Sequence, residues 1–260
     1  MPNRAELLEA GIDPDLYTQR QIAWYDGSIL ALDVEIARLM ERLGELGLGE
    51  NTLVVFVSDH GEEFLDHGAS FHGQSVYGEL TQVPLIFSWP GAIPADRVIE
   101  DTVQTIDIMP TILELSGLPQ PEGMQGQSLV PYLLTEQSGQ VSQVRKRPAI
   151  SEQPAVGAGV GNPPPFDKES FAIVSEGWKL IHNTKGRGEQ PEFELYDRKD
   201  DPLDQTNLAE ENAELVERLS EQLEAWHRQA LAVRLEADDE ATEGMSSEEL
   251  ERLRSLGYIQ

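Results

Sequence analysis

Three of the chain's five histidines, His60, His67 and His72, and four acids, Asp59, Glu62, Glu63 and Asp66, fall within fourteen residues. Imidazole nitrogens and carboxylate oxygens are the donors that hold divalent cations, and no other stretch gathers histidines together with acids so densely. Asp59 and His60 are neighbours, so in a regular strand they would face opposite ways; where a strand ends the chain turns, and both can reach one ion. One carboxylate with one imidazole suits calcium, manganese or zinc, and oxygen-rich surroundings favour calcium. The plainer reading is a strand end whose Asp caps the next turn and whose His meets water, and a dipeptide alone does not choose between the two. His72, between Phe71 and Gly73, has the open loop setting in which an imidazole can donate to an anionic oxygen or act as a general acid. A loop histidine in water is its plainer role. Lys179, after Trp178 in a strand-like run, reads as a lysine snorkelling to solvent. His67, Glu62 and Glu63 read as loop surface or as support behind the ligands, and His182 and His227 as surface or packing residues.

These groups need a scaffold, and the sequence supplies one. Residues 53–57 (LVVFV) form an apolar run of the length and β-branched content of a strand buried on both faces. It stops at Ser58-Asp59-His60-Gly61, which puts the Asp–His pair at the carboxyl end of the strand, where ligands of open α/β sheets bind. Upstream, Ile22, Tyr25, Ile29, Leu32, Ile36, Leu39 and Leu43 alternate spacings of three and four, one face of a long amphipathic helix. A coiled-coil seam shares that spacing, but a helix feeding a buried strand favours packing on a sheet. Asp26 and Asp33 on it read as solvated acids. A short helix over 4–10 precedes it, stopped by Gly11 and Asp13-Pro14.

Downstream, residues 83–89 (VPLIFSW) predict a second strand, and a helix begins near Asp107 with Pro110 in its first turn. Residues 135–168, rich in Gln, Gly, Pro and Ser, show no hydrophobic period and read as a linker or surface excursion. Residues 171–183 predict a hairpin turning at Glu176-Gly177, 193–196 a third strand, and 212–232 a helix. Ser246 and Ser247 ahead of Glu248 and Glu249 make a capping-box pattern for a last helix. The resulting division is 1–134, 135–168, 169–235 and 236–260.

Composition narrows the partners. With 19 basic and 47 acidic residues the formal charge is −28, which repels nucleic-acid backbones and anionic membranes. An anionic substrate therefore needs a local positive centre, a metal ion or convergent cations. There is no cysteine, which removes thiolate sites and disulfides. The N-terminal residues lack the apolar core of a secretory leader, and no run approaches membrane-spanning length.

TLVVFVSDHGEEFLDHG followed by HGQSVYGELTQVPLIFSWPG resembles the second half of the sulfatase family of the alkaline phosphatase superfamily. YDGSILALDVEIARLMERLGELGLGENT is similar to the helix before that family's metal strand, and DTVQTIDIMPTILELSGL to the segment after its second strand. GWKLIHN, FELYDRKDDPLDQTNLA and the ending SEELERLRSLGY are similar to its small C-terminal sheet and tail. The resemblance implies an α/β fold: part of an alkaline-phosphatase-like mixed sheet flanked by helices, plus a small C-terminal antiparallel sheet with a packed helix. It also implies metal-assisted cleavage of a sulfate monoester, on a small molecule or a carbohydrate. It assigns Asp59 and His60 as ligands of a divalent cation, usually calcium, with manganese or zinc as alternatives. His72 becomes the residue that contacts the sulfate and the leaving oxygen.

The family's nucleophile is a formylglycine made from the first residue of a CxPxR or SxPxR motif. In this sequence there is no cysteine, and no serine is followed by xPxR. Met1 falls just ahead of where the second half would begin, so the resemblance predicts a truncated product or a separately encoded fragment, inactive alone and completed by the N-terminal half. The rival readings are a phosphodiesterase, phosphonate hydrolase or phosphomutase of the same superfamily, which differ in that nucleophile, and a non-catalytic binding or scaffold module.

Overall fold

The computed structural model describes residues 2–134, 146–153, 169–185, 190–233, 245–247, 249, 250 and 252. Two units emerge, Met1–Ala149 with Pro202–Gln205, and Ile150–Asp201 with Thr206–Gln260.

The first unit opens with α1 (Arg4–Glu9), whose Asn3 cap and Glu6 satisfy each other's backbone N–H groups. Helix α2 (Pro14–Glu45) starts at Asp13, whose carboxylate accepts from the Asp15 and Leu16 N–H groups. Gly47, at φ +68°, takes the left-handed turn that ends it. Strand β1 (Val54–Val57) follows and pairs antiparallel with β4 (Leu85–Ser88), Val54 opposite Ser88 and Val57 opposite Leu85. Between them lie the two-residue strands β2 (Glu63–Phe64) and β3 (Ser70–Phe71), paired with each other, and the short helix α3 (Gly78–Thr81). A 3-10 turn (Thr105–Asp107) runs into α4 (Ile108–Leu115), with Pro110 in its first turn as the sequence predicts. Asp107, fully buried, accepts from the Gln104 and Gln127 N–H groups and pairs with Arg147, and α5 (Val130–Leu134) completes the unit.

Two expectations fail here. Strand β1 is half-buried rather than covered on both faces, and Val57 is 39% exposed, because its described ladder is with β4 alone. Helix α2 leaves Ile22, Tyr25, Ile29, Leu32 and Leu39 exposed, and Pro14 is its one buried residue among the described residues. Its 32 residues pack chiefly on α1, the turn Gly49–Asn51 and β2, too little surface to cover the stripe.

The second unit is a four-stranded sheet in the order β5-β6-β7-β8. Strand β5 (Ala149–Gln153) lies inside the stretch read as an excursion; five residues of mixed polarity carry no visible period, and pairing with β6 decides their conformation. Residues 135–145 and 154–168 of that stretch lie outside the described residues. The predicted hairpin is β6 (Glu169–Ser175) and β7 (Trp178–Lys185), turning through Glu176 at φ +54° and Gly177 at φ +85°. Two positive φ values in a two-residue turn match the twist of the flanking strands. Strand β8 (Phe193–Asp197) pairs with β7, and α6 (Ala213–Ala232) lays Leu219 and Leu223 on Phe171, Ile173, Leu180 and Leu195.

Lys179 does not snorkel. It is 2% exposed, because β7 is an interior strand and Lys179 lies between Val174 and Tyr196. His182 stacks on Phe193 at 4.5 Å and His227 lies 5.1 Å from Phe171, both packing roles. Ser246 and Glu249 form the predicted capping box, and most of 236–260 lies outside the described residues.

Candidate functional site

The chain leaves β1 at Ser58, whose hydroxyl donates to the His60 carbonyl at 2.7 Å and tightens the turn. Asp59 Oδ1 accepts from the His60 N–H at 3.0 Å. The His60 ring is held by Nδ1, which donates to the Gly61 carbonyl at 2.9 Å. A carbonyl can only accept, so in the neutral ring the proton sits on Nδ1 and Nε2 presents its lone pair. That Nε2 lies 3.7 Å from Asp59 Oδ2, and the Asp59 side chain is 87% exposed. The His60 ring stacks on His72, with centroids 4.1 Å apart and planes at 30°. His72 Nδ1 in turn lies 3.3 Å from Glu62 Oε2. Glu62 Oε1 is buried with no hydrogen-bond partner among the described residues.

Behind this exposed pair lies a buried anchor that local sequence does not announce. Glu63 is 1% exposed; its Oε1 accepts from the His67 and Ala69 N–H groups at 3.1 and 2.8 Å, and its Oε2 from Gln74 Nε2 at 2.8 Å. One carboxylate thus ties together the residues on both sides of His72. His67 Nδ1 lies 2.6 Å from Glu79 Oε1 and Nε2 lies 2.7 Å from the Asp204 carbonyl. Both partners accept, so both ring nitrogens carry protons and the ring is an imidazolium. Burial by itself pulls its pKa down. The hydrogen bonds to Glu79 and the Asp204 carbonyl, with the charges of Glu79 and Glu63, outweigh that and raise it from 6.5 to about 9.

The ring lies flat on Tyr77, centroids 3.6 Å apart, and Asp204 Oδ2 accepts from the Gly78 N–H at 2.8 Å. At the other end of the loop the Gly61 N–H donates to the Leu80 carbonyl at 2.9 Å. A Cβ at Gly61 would sit 1.9 Å from the Glu79 carbonyl oxygen, so only glycine lets the loop approach α3 this closely.

The structure therefore brings Asp59, His60, His72 and Glu62 to one place, whereas Lys179 belongs to the second unit's sheet. Glu63 is a buried support and His67 a partly buried one rather than loop surface. Glu79 and Asp204 went unnoticed in sequence, since Asp204 stands 137 positions from His67. The donor set of Asp59 Oδ2 and His60 Nε2, two lone-pair groups converging with no proton between them, fits two ligands of a divalent cation. No group of three or more His, Asp or Glu side chains poised for a metal occurs among the described residues, and two ligands are fewer than a divalent cation takes.

Residues 2–118 match the family model described as Sulfatase. Arylsulfatase K of Xenopus laevis is 28% identical over 211 residues, covering 80% of this chain and 38% of that protein. N-acetylglucosamine-6-O-sulfatase of Bacteroides thetaiotaomicron is 31% identical over 222 residues, covering 80% and 38%. A structure solved in complex with its substrate, D-glucosamine-2-N,6-O-disulfate, superposes with a TM-score of 0.61 at 25% identity, over 93% of this chain and 54% of that one. The chain spans under two-fifths of the length of these two curated relatives. Over residues 2–118 it matches the sulfatase family, and it carries part of the sulfatase fold.

Proposed function

We propose that this chain supplies the cation strand and the leaving-group side of a sulfatase site, and that the reaction served is hydrolysis of a sulfate monoester carried by a carbohydrate. The observation that carries the reading is the meeting of Asp59, His60 and His72 on one loop at the end of β1. The relatives named for N-acetylglucosamine-6-O-sulfate and solved with a glucosamine disulfate support the choice of ester.

Asp59 and His60 would hold a divalent cation, calcium by the family resemblance. Bound there, the ion would polarise the sulfate oxygens and supply the positive charge that an acidic chain lacks. His72 acts from the other side of the stack. With Nδ1 turned to Glu62, its Nε2 is the edge left to hold a proton for the ester oxygen as the S–O bond breaks. Glu62 orients the ring. No residue of this sequence matches the family's nucleophile motif, so the nucleophile and the remaining ligands are contributed by the rest of the sulfatase fold.

Calorimetric titration with Ca2+ and Mn2+, run beside an aryl sulfate assay, tests this. The expected result is weak cation binding that Asp59→Ala and His60→Ala each abolish, with no multiple turnover by the 260-residue chain. Binding unchanged in both variants would remove the ligand assignment, and sustained turnover would remove the division of labour.

A further inference from the structure

We infer that Asp204 is a positioning residue for His72, because it ties both ends of the loop that carries His72 to one point. That role rests on the reading above for what His72 does to the ester. The loop runs from His67 to Gly78, and His72 lies five residues from the first and six from the second. Asp204 meets both ends. Its carbonyl accepts from His67 Nε2 at 2.7 Å, and its Oδ2 accepts from the Gly78 N–H at 2.8 Å. The main chain and the side chain of one residue, itself 1% exposed, therefore hold two positions that are far apart along the loop.

The clamp has a shape of its own. Pro202–Gln205 belongs to the first unit, although the chain on either side of it belongs to the second. Asp201 Oδ2 accepts from the Thr206 N–H at 2.7 Å and closes the base of this turn, and Gln205 Nε2 donates to the Leu203 carbonyl at 2.9 Å within it. Asp204 itself sits at φ +55°, a left-handed conformation that Asp tolerates better than most residues. A turn ordered by its own hydrogen bonds presents both acceptors of Asp204 ready to engage the loop.

From the pinned ends the path to His72 is short. The His67 N–H and Gln74 Nε2 meet on the two oxygens of Glu63, and Gln74 Nε2 also donates to the Phe71 carbonyl at 3.1 Å. Phe71 stands at φ +72°, a strained setting for a bulky side chain that persists only where the surroundings impose it. Release of one end lets that backbone relax, and the next residue it swings is His72. A proton donor acts only within hydrogen-bond reach of the leaving oxygen, so the stack of His72 on His60 and its approach to Glu62 depend on the clamp.

The test is NMR on the full chain at fixed pH, reading the contact between the His60 and His72 ring protons without substrate or metal. Asp204→Gly removes the carboxylate and accepts the positive φ without strain, and Asp204→Asn keeps the shape and an acceptor for the Gly78 N–H. The ring contact should be lost in Asp204→Gly and kept in Asp204→Asn. It should also be kept in the wild type brought by urea to the unfolding free energy of Asp204→Gly, because a loss of stability alone leaves the native stack in place. His67→Ala, which opens the other end of the clamp, should lose the contact as Asp204→Gly does. A stack that survives in either of these two variants overturns the inference, as does its loss in Asp204→Asn or in the urea-treated wild type. A Ca2+ titration of the same samples separates it from the reading above. A stack lost in Asp204→Gly beside a wild type silent to Ca2+ counts against the hydrolase alone, and a Ca2+ response beside an unchanged stack counts against the clamp alone.

Discussion

His67 and His72 lie five residues apart in one loop, and the protein treats them oppositely. His67 has an acceptor on each ring nitrogen, an aromatic ring against its face and little contact with water. His72 is half-exposed, touches one carboxylate at 3.3 Å and leans on another imidazole. The difference separates two jobs within a single stretch. Groups satisfied by the fold hold the loop still, and groups the fold leaves unsatisfied are the ones with bonding capacity to offer a ligand.

The contrast is broken most forcefully at Glu63. Replacing it with alanine strands the His67 and Ala69 N–H groups and the Gln74 amide, and removes a counter-charge from the His67 imidazolium. We expect a loss of roughly 2–4 kcal/mol in urea unfolding. Glu63→Gln, which keeps an acceptor and the shape, should lose visibly less. Equal losses would mean that the charge rather than the hydrogen bonds anchors the loop.

Titration of His67 gives the next largest effect. Its folded pKa, about 9, lies above the ordinary 6.5, so the folded state binds the proton more tightly than the unfolded chain. The stabilisation is fully present below about pH 6.5 and is lost as pH rises through about 9, a change on the order of 3 kcal/mol. The groups that face it are the carboxylates of Glu79 and Glu63 and the ring of Tyr77. His67→Gln should flatten the stability profile between pH 6.5 and 9.5. A variant as pH-sensitive as the wild type would place the effect elsewhere.

The same contrast explains what the sequence made legible. Asp59, His60 and His72 stand out because imidazoles and carboxylates are bunched at the end of an apolar run, and short-range pattern is what a sequence displays. Strands β6–β8 and helix α6 were legible for the same reason: the hairpin turn at Glu176-Gly177 and the helical spacing of Leu219 and Leu223 are local signals. The anchor was not, because its bonds join positions 67, 79 and 204, and nothing near Asp204 hints at an imidazole. Lys179 and α2 misled in opposite directions. Periodicity shows that a helix has an apolar stripe and not what covers it; a lysine in a strand is read as a surface residue until the strand is found in the middle of a sheet.

Asp59 is where the comparison predicts almost nothing for stability and everything for binding. Its side chain is exposed, and its hydrogen bond is to the N–H of the next residue. Removing a water-facing carboxylate should change unfolding free energy by no more than about 0.5 kcal/mol. The sign leans towards stabilisation, because the chain carries a charge of −28 and loses one negative group. Under the same conditions the wild type should gain stability with rising Ca2+ through preferential binding to the folded state, and Asp59→Ala should no longer respond. Urea unfolding of both proteins with and without Ca2+ separates the two effects. A destabilisation of about 2 kcal/mol in the metal-free protein would show that Asp59 belongs with Glu63 as part of the anchor, and the division drawn between the two halves of the loop would then have to be moved.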